Sequence, residues 1–409
     1  MNVPAFCHQA IGLKSTNSTP ELADIFRIYG EEYLREHPLP LHYLRVIQAI
    51  KNCRTPALGG HAWKCLSCDF EKTLYNSCRD RHCPKCQAIA REKWLFKRQK
   101  ELLPASYYHV VFTVAHELNP IILCNKRETL DLLFRAVKDT LNRFAQDPQW
   151  RVEGKLGFLA ILHTWSQTLM DHFHLHVLIP AGVIDKDNKW KTIRETYLFK
   201  NISLASYFRQ RYLTLIQKTY KNRKLKFPGE IAKYKHPHRF NELIQKARDK
   251  DWNVYAKPPF DGPEQVLKYL GRYTHRVAIS NHRILSIEDG VVKFTYRNRR
   301  MNNEIQTMSL KANEFIRRFL LHILPEGFMK IRYFGFLSNT AKRKSLKLIR
   351  DQLGIKASSD AEESESIETI LVRILGFDVN RCPKCQIGEL VKTAILLPQI
   401  PQNPKQKPP

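Results

Sequence analysis

The amino-acid sequence predicts an α+β protein, in which a helical zinc-binding domain precedes an antiparallel sheet with helices packed on one face. The first observation is the order of elements, because a strand, a long amphipathic helix and two more strands follow one another between residues 107 and 180. The second is a cysteine-rich segment, residues 53–86, between predicted helices. The third is the length of 409 residues, which accommodates two or three domains with cores of their own.

Composition and charge limit the classes of function that the protein can have. The chain has 67 Lys and Arg against 39 Asp and Glu, a net charge of +28, which indicates a polyanionic partner, nucleic acid before membrane. No apolar run approaches a membrane span and no apolar leader follows the first Met, so we expect a cytoplasmic, nucleoid-associated protein. The ten cysteines are then metal ligands or free thiols rather than disulfides. Nothing supports a P-loop ATPase, because Gly-Lys-Ser and Gly-Lys-Thr do not occur.

Helices are predicted on both sides of the cysteine-rich segment. In "NSTPELADIFRIYGEEYL", Ser18 and Glu21 have the spacing of a capping box, and Pro20 falls in the first turn. A second helix is predicted over about residues 41–51, and a basic helix over 91–103.

Two Cys-x2-Cys pairs lie within the segment: Cys65 with Cys68, and Cys83 with Cys86, fourteen residues apart. Four thiolates at this spacing suit tetrahedral Zn²⁺ and predict a structural zinc site. The sequence leaves open which neighbours replace a ligand or build a second site: Cys53, His61, Cys78 and His82.

A third pair, Cys382 with Cys385, lies near the C-terminus. Two thiols are only half of a tetrahedral site. The pair is therefore either completed by residues elsewhere in the chain or consists of two plain thiols.

The sheet is predicted from four stretches with β patterns. "YYHVVFTVAHEL" (107–118) and "GFLAILHTW" (157–165) predict strands on either side of the long helix "KRETLDLLFRAVKDTLNRFAQ". "MDHFHLHVLIPAG" (170–182) predicts the next strand. Residues 183–255 are predicted to be a basic, mostly helical insertion, after which "DWNVYAKPPF" returns one more strand.

Alternation in the third strand places His172, His174 and His176 on one face, with hydrocarbon side chains on the other. Neighbouring imidazoles two residues apart can bind one ion, whereas all three span about 13 Å. The metal pair is therefore 172 with 174, or 174 with 176. Two histidines leave coordination positions open, as a catalytic metal needs if a substrate oxygen is to bind. Surface histidines on an amphipathic strand are the less favoured interpretation.

The stretch "DGPEQVLKYLGRYTHRVAIS" predicts a helix with Asp261 as its N-cap. Tyr269 and Tyr273 lie one turn apart on it. We predict that Tyr269, at the edge of the apolar stripe beside Arg272 and Arg276, is accessible, and that Tyr273 lies nearer the stripe. A phenolate can form a covalent ester with phosphorus, which keeps bond energy without ATP.

Basic side chains beside these motifs are the predicted DNA contacts. Arg79, Arg81 and Lys85 crowd the cysteines, and Arg272 and Arg276 flank the tyrosines. Their cations would face phosphates and support the anionic forms of the thiols and phenols.

Five segments in this order resemble one known family: "YNSCRDRHCPKCQ", "YYHVVFTVAHEL", "HFHLHVLIPAG", "YLGRYTHRVAISNHRI" and "FIRRFLLHILPEGFMKIRYFGFLSN". The chain, from about residue 20 to 350, looks like the rolling-circle transposases of the insertion-sequence ninety-one type. These have an N-terminal zinc-binding domain and a two-tyrosine HUH nuclease domain.

The resemblance implies several further expectations. The fold would be a ferredoxin-like or RRM-like antiparallel sheet with the histidines on a central strand. His174 and His176 would bind a catalytic Mg²⁺ or Mn²⁺, with His172 just outside the pair, and Tyr269 and Tyr273 would be the paired tyrosines. The substrate would be the single-stranded ends of a DNA element. A third metal ligand is left open among Gln167, His172 and a residue of the tyrosine helix.

These observations divide the chain into predicted units. Residues 1–105 form a helical zinc-binding DNA-recognition domain, 106–300 the HUH catalytic domain with its insertion, 301–356 a basic C-terminal extension, and 357–409 an acidic linker and Cys-x2-Cys tail. The sequence predicts no membrane partner and leaves the oligomeric state open, a homo-oligomer included.

Other function classes share parts of this pattern. A rolling-circle replication initiator or relaxase would use the same chemistry. A non-catalytic, zinc-containing DNA-binding regulator would suit the charge and the cysteines, but gives no reason for the histidine strand and paired tyrosines. A transposase with an RNase H-like acidic site is a third alternative that no motif requires.

Overall fold

The computed structural model describes residues 19–150, 152–193, 198–260, 262–298, 301–355, 369–370, 372 and 378–399. The helices are α1 (Leu22–Glu36), α2 (Leu41–Asn52), α3 (Gln87–Gln99), α4 (Asn119–Cys124), α5 (Lys126–Ala145), α6 (Asn201–Lys221), α7 (Pro237–Arg248), α8 (Pro263–Tyr273), α9 (Ala312–Leu320) and α10 (Lys342–Gln352). The strands are β1 (Gly60–Cys65), β2 (Glu71–Tyr75), β3 (Tyr107–Thr113), β4 (Gly157–Trp165), β5 (Asp171–Pro180), β6 (Gly182–Ile184), β7 (Trp190–Thr192), β8 (Val254–Phe260), β9 (Ile284–Glu288), β10 (Val291–Asn298), β11 (Glu304–Lys311), β12 (Ile331–Gly335) and β13 (Leu390–Leu396). Within these ranges no helix is both long and apolar enough to span a membrane.

A five-stranded sheet in the order β12-β4-β5-β3-β8 is the centre of the fold, and every neighbouring pair in it is antiparallel. The histidine strand β5 is the middle strand. The predicted α+β class and the central position of the histidine strand are both confirmed. Strand β8 confirms the predicted return of the chain to the sheet.

The two faces of β5 differ as its alternation predicts. Phe173, Leu175 and Val177 point into the large apolar core, which α5, α6 and α7 cover. The sequence predicted helices on one face of the sheet. However, α3 and α8 also cover part of the histidine face, where Val266 and Leu270 pack on Leu159 and Leu178 of the sheet.

Strand β12 was not predicted, because residues 301–356 were expected to be a basic C-terminal extension outside the sheet. It pairs with β4 in register from Ile331 opposite Ile161 to Gly335 opposite Gly157. The strand has only five residues and is half-buried throughout, so it lacks the alternation that marks a longer strand. The segment after residue 301 therefore contributes to the same sheet as the histidines.

The N-terminal helices share a second core with the chain that follows α8. Side chains of α1 and α2 pack against α9 and the sheet β11-β10-β9, and the rings of Phe26 and Phe319 lie 5.6 Å apart. Helix α1 begins at Leu22, and Glu21 forms a capping box with Asp24 rather than with Ser18, which lies outside the described residues. A third sheet, β13-β1-β2, includes Cys65 as the last residue of β1.

Candidate active site and zinc sites

Three buried histidines converge on the face of the central sheet. The candidate ligand nitrogens of His163, His174 and His176 all lie within 4.8 Å of one another. His163 on β4 is directly opposite His174 on β5, and cross-strand neighbours have Cβ atoms about 5 Å apart. Pairing of the two strands thus adds a third imidazole to the pair that lies along one strand.

His163 was missed as a candidate for the third ligand, whereas Gln167 and His172 were considered. The ring of His172 lies 4.7 Å from that of His174, but His172 is not part of the converging group. The short connection between β4 and β5 indicates a hairpin, but equal distance from the turn would place His163 opposite residue 173. A register shift between His163 and Trp165 brings His163 opposite His174 instead, and no local sequence pattern predicts that shift.

The three imidazoles fit a divalent cation. Nδ1 of His174 lies 2.9 Å from the carbonyl oxygen of His172, and as an N–H donor to that oxygen it leaves Nε2 for a metal. Mn²⁺ accepts imidazole ligands more readily than Mg²⁺ does, although both ions bind oxygen ligands well. The group can therefore hold Mn²⁺, or Mg²⁺ if water and substrate supply oxygen ligands.

Tyr269 contacts this group directly. Its hydroxyl lies 2.9 Å from Nδ1 of His176 and 2.5 Å from Nε2 of His109 on β3. If His176 binds a metal through Nε2, its Nδ1–H donates to the phenolic oxygen, and the phenol donates to His109. Burial, followed by the charge of Lys257, lowers the pKa of His109 to about 3, which keeps this imidazole neutral and able to accept.

The prediction that Tyr269 lies at an accessible edge was wrong, since only 7% of the residue is exposed. Helix α8 lies on the sheet, and Val266, Tyr269 and Leu270 together form its contact. Periodicity shows which residues share a stripe, but it does not show which element covers that stripe. The side chains of Arg272 and Tyr273 lie outside the described part of the chain, as does the predicted N-cap Asp261; Gly262 occupies the N-cap position.

A basic groove lies on the side of α8 opposite Tyr269. It encloses about 1180 Å³ between α3, α8 and the strands β10 and β11. Its described lining includes one acidic residue, Glu92, and five cationic ones: Arg91, Lys268, Arg276, Arg283 and Arg297. This excess of positive charge suits a polyanion, and Arg276 is the predicted DNA contact that lines the groove.

The three basic residues beside the cysteines have different surroundings. Arg79 is exposed, with a φ of 56°. Arg81 donates to the carbonyl oxygens of Phe328 and Pro325, and Lys85 pairs with Glu21 at 2.5 Å. Arg81 and Lys85 therefore connect the cysteine segment to the rest of the molecule.

The grouping of Cys65, Cys68, Cys83 and Cys86 in one zinc site was wrong. The pairs lie at opposite ends of the β1–β2 hairpin, whose strands are roughly 20 Å long. The structure instead forms two groups of four thiols, each with its Sγ atoms within 4.8 Å. The first group is Cys53, Cys78, Cys83 and Cys86, and the second is Cys65, Cys68, Cys382 and Cys385.

The first group forms a closed shell for one ion. The Sγ atom of Cys86 lies 3.5 Å from that of Cys53 and 3.6 Å from that of Cys78. Hydrogen bonds from the neighbouring thiols, that of Cys53 first, lower the pKa of Cys86, which favours its thiolate form. His82 contacts Asp80 instead and is not part of the group.

Comparisons with known proteins match two regions of the chain, one with the first thiol group and one with the converging histidines. Residues 25–114 match a family described as "Transposase zinc-binding domain", and residues 157–345 match one described as "Putative transposase". The first range includes the first thiol group and His109; the second includes the three converging histidines and Tyr269. Cys382 and Cys385 lie outside both.

Two curated proteins are similar along most of the chain. "Putative transposase y4qJ" of Sinorhizobium fredii (strain NBRC 101917 / NGR234) is 42% identical over 382 residues, which cover 92% of this chain and 96% of that protein. "Transposase for insertion sequence element IS801" of Pseudomonas savastanoi pv. phaseolicola is 30% identical over 350 residues, 84% of this chain and 82% of that protein. No solved structure matches the chain.

Proposed function

The chain belongs to the transposase family of the insertion-sequence ninety-one type, and from this membership we propose that it cleaves single-stranded DNA at element ends and transfers the strand through a 5′-phosphotyrosine. One observation carries the proposal: the Tyr269 hydroxyl lies 2.9 Å from His176, a member of the converging histidine group. A nucleophile and a metal site are thus adjacent, as phosphoryl transfer to a side chain requires.

His163, His174 and His176 would hold the divalent cation, which when bound stabilises negative charge on the phosphate oxygens. The phenolic oxygen of Tyr269 forms a bond to phosphorus, and the bond from phosphorus to the 3′ oxygen breaks. The phenolic proton has an acceptor in place at Nε2 of His109, 2.5 Å away, and is finally carried by the released 3′ hydroxyl. His109 also orients the phenol through this hydrogen bond, so its proposed role is to position the nucleophile.

The second tyrosine would complete the transfer. Tyr273 follows Tyr269 by one helical turn, about 6 Å along the axis. It would attack a second strand while Tyr269 still holds the first 5′ end. This role rests on spacing and on the resemblance.

Formation of a covalent adduct tests the proposed function. We expect the protein to attach to the 5′ end of a labelled single strand from the element end when Mn²⁺ is present, because the phenol and the histidines lie together. The products are separated under denaturing conditions, with EDTA-treated samples and the same sequence as duplex as controls. Cleavage in Mn²⁺ that leaves no protein-bound DNA would reject the phosphotyrosine intermediate.

The basic groove is the path that we propose for the DNA strand. It is lined by Lys268 and His275 of the same helical region that carries the tyrosines, and by Arg297 on the facing strand. Aromatic side chains also line it, among them Phe96 and Tyr296, and bases stack on such rings. A strand in this groove would bind along the side of α8 opposite the histidine face, so the segment with the scissile phosphate would leave the groove and pass around the helix to reach Tyr269.

Removing two cations from the groove should weaken DNA binding in a salt-dependent way. For Lys268→Ala/Arg276→Ala, we expect the negative slope of log affinity against log salt concentration to become smaller in magnitude by about 1.4, because each single-strand phosphate that a cation neutralises contributes roughly −0.7 to that slope. Fluorescence anisotropy without divalent metal measures the slope.

Lys246→Ala/Arg248→Ala is the matched control, because it removes the same charge from exposed positions of α7 on the far side of the sheet. Equal slopes for the two double variants would show that DNA affinity depends only on the total charge of the protein. The groove would then not be the path of the strand.

A further inference from the structure

The second thiol group joins residues that are far apart in the sequence. The Sγ atom of Cys65 lies 3.7 Å from that of Cys385, and Cys68 is 3.7 Å from Cys382. These distances are far longer than a disulfide bond of about 2.05 Å, but suit sulfurs arranged around one ion. Cys65 and Cys382 are almost completely buried, at 3% and 1% exposure.

Each Cys-x2-Cys loop of this group also directs backbone N–H groups at sulfur. The N–H of Ser67 lies 3.3 Å from Sγ of Cys65, and that of Gly388 lies 3.2 Å from Sγ of Cys385. Such donors stabilise negative charge on metal-bound thiolates and orient them. The two loops therefore have the local structure of metal-binding knuckles.

The C-terminal loop can come this close to Cys65 only if position 388 is a glycine. A Cβ atom at this position would lie 2.4 Å from Sγ of Cys65 and 2.8 Å from Oγ of Ser67. Any larger residue would push the C-terminal loop away from the first pair. The backbone thus permits four sulfurs to converge only because this position has no side chain.

Strand pairing holds the same two segments together. Strand β13 pairs antiparallel with β1, with Leu390 opposite Cys65, and Lys384 pairs with Asp69 at 2.6 Å. We propose that Cys65, Cys68, Cys382 and Cys385 bind a second zinc ion. This ion fastens the C-terminal segment to the zinc-binding domain, and it is distinct from the ion of the first thiol group.

Zinc content of the purified full-length protein tests the proposal. We expect two zinc ions per chain, measured by plasma mass spectrometry against amino-acid analysis, and one in Cys382→Ser/Cys385→Ser. Cys124→Ser is the matched control, because Cys124 is exposed and belongs to neither group, so this variant should keep two. One zinc per chain in the wild-type protein, unchanged in the double variant, would overturn the second site.

Alkylation of the wild-type protein covers the case in which the double variant does not fold. Iodoacetamide should modify Cys124 at once, but Cys382 and Cys385 only after a chelator removes zinc, as read by peptide mass spectrometry. Equal modification of the C-terminal pair with and without chelator would show two plain thiols. Neither measurement depends on DNA cleavage, so a failure of the proposed function leaves this result unchanged.

Discussion

Replacing both His174 and His176 by alanine should slow cleavage of single-stranded element ends by about a thousandfold. These histidines would hold the cation, whose stabilisation of charge at the reacting phosphate would be worth several kcal/mol, and about 4 kcal/mol corresponds to a factor of roughly 10³ in rate. DNA binding should stay within about twofold, since phosphate contacts by Lys and Arg dominate affinity. Single-turnover cleavage in Mn²⁺ and anisotropy without metal measure the two effects.

His163→Ala should give a smaller loss of rate than the double variant, because two imidazoles of the group remain. His238→Ala is the control, with a side chain that is 82% exposed on α7. The melting temperature of each variant must be compared, because all three site histidines are buried. Cleavage at the wild-type rate by folded His174→Ala/His176→Ala would remove the histidine group from the mechanism.

Tyr269→Phe should abolish the first covalent adduct, whereas Tyr273→Phe should still form one adduct but fail to complete transposition. The reason is position: the hydroxyl of Tyr269 contacts both His109 and His176. The phenylalanine keeps the ring that packs on the sheet, so the loss should be chemical rather than structural. Peptide mapping of protein-bound DNA identifies the residue that carries the phosphate.

Tyr255→Phe is the control for that experiment. Tyr255 lies on β8, the strand that pairs with β3, and is 50% exposed. A reaction that depended on exposure alone would therefore attach DNA to Tyr255 before Tyr269. DNA attached only to Tyr273 would reverse the proposed order of attack. DNA attached to neither tyrosine would reject the tyrosine mechanism.

Local sequence pattern was sufficient to predict four strands of the central sheet, β12 excepted, and part of the site. Alternation in β5 placed His174 and His176 on one face, and the strand is central as expected. His163 was missed because its closeness to His174 depends on pairing between two strands, which alternation within one strand does not contain. The contact between Tyr269 and His109 joins positions 160 residues apart, and it results from the way α8 lies on the sheet.

The cysteines show the same division between local and distant information. Each Cys-x2-Cys pair could be recognised from its own four residues, because the spacing itself shapes the loop that presents two sulfurs. The partner of each pair depends on tertiary structure. The hairpin β1–β2 separates the first two pairs, and β13 brings the third pair next to the first.

Strand β1 is in the middle of its sheet, but one of its neighbours is synthesised much later than the other. Cys382 follows Cys68 by 314 residues, so a ribosome that adds about 5–20 residues per second needs roughly 16–60 s between them. During that interval β1 is an edge strand, and Cys65 and Cys68 lack the other two thiols of their group. An exposed edge strand can pair with other chains and so favours aggregation. Nascent chains that stop before β13 never acquire the third strand. The sheet β13-β1-β2 is thus completed only in chains whose translation has passed through the whole five-stranded sheet.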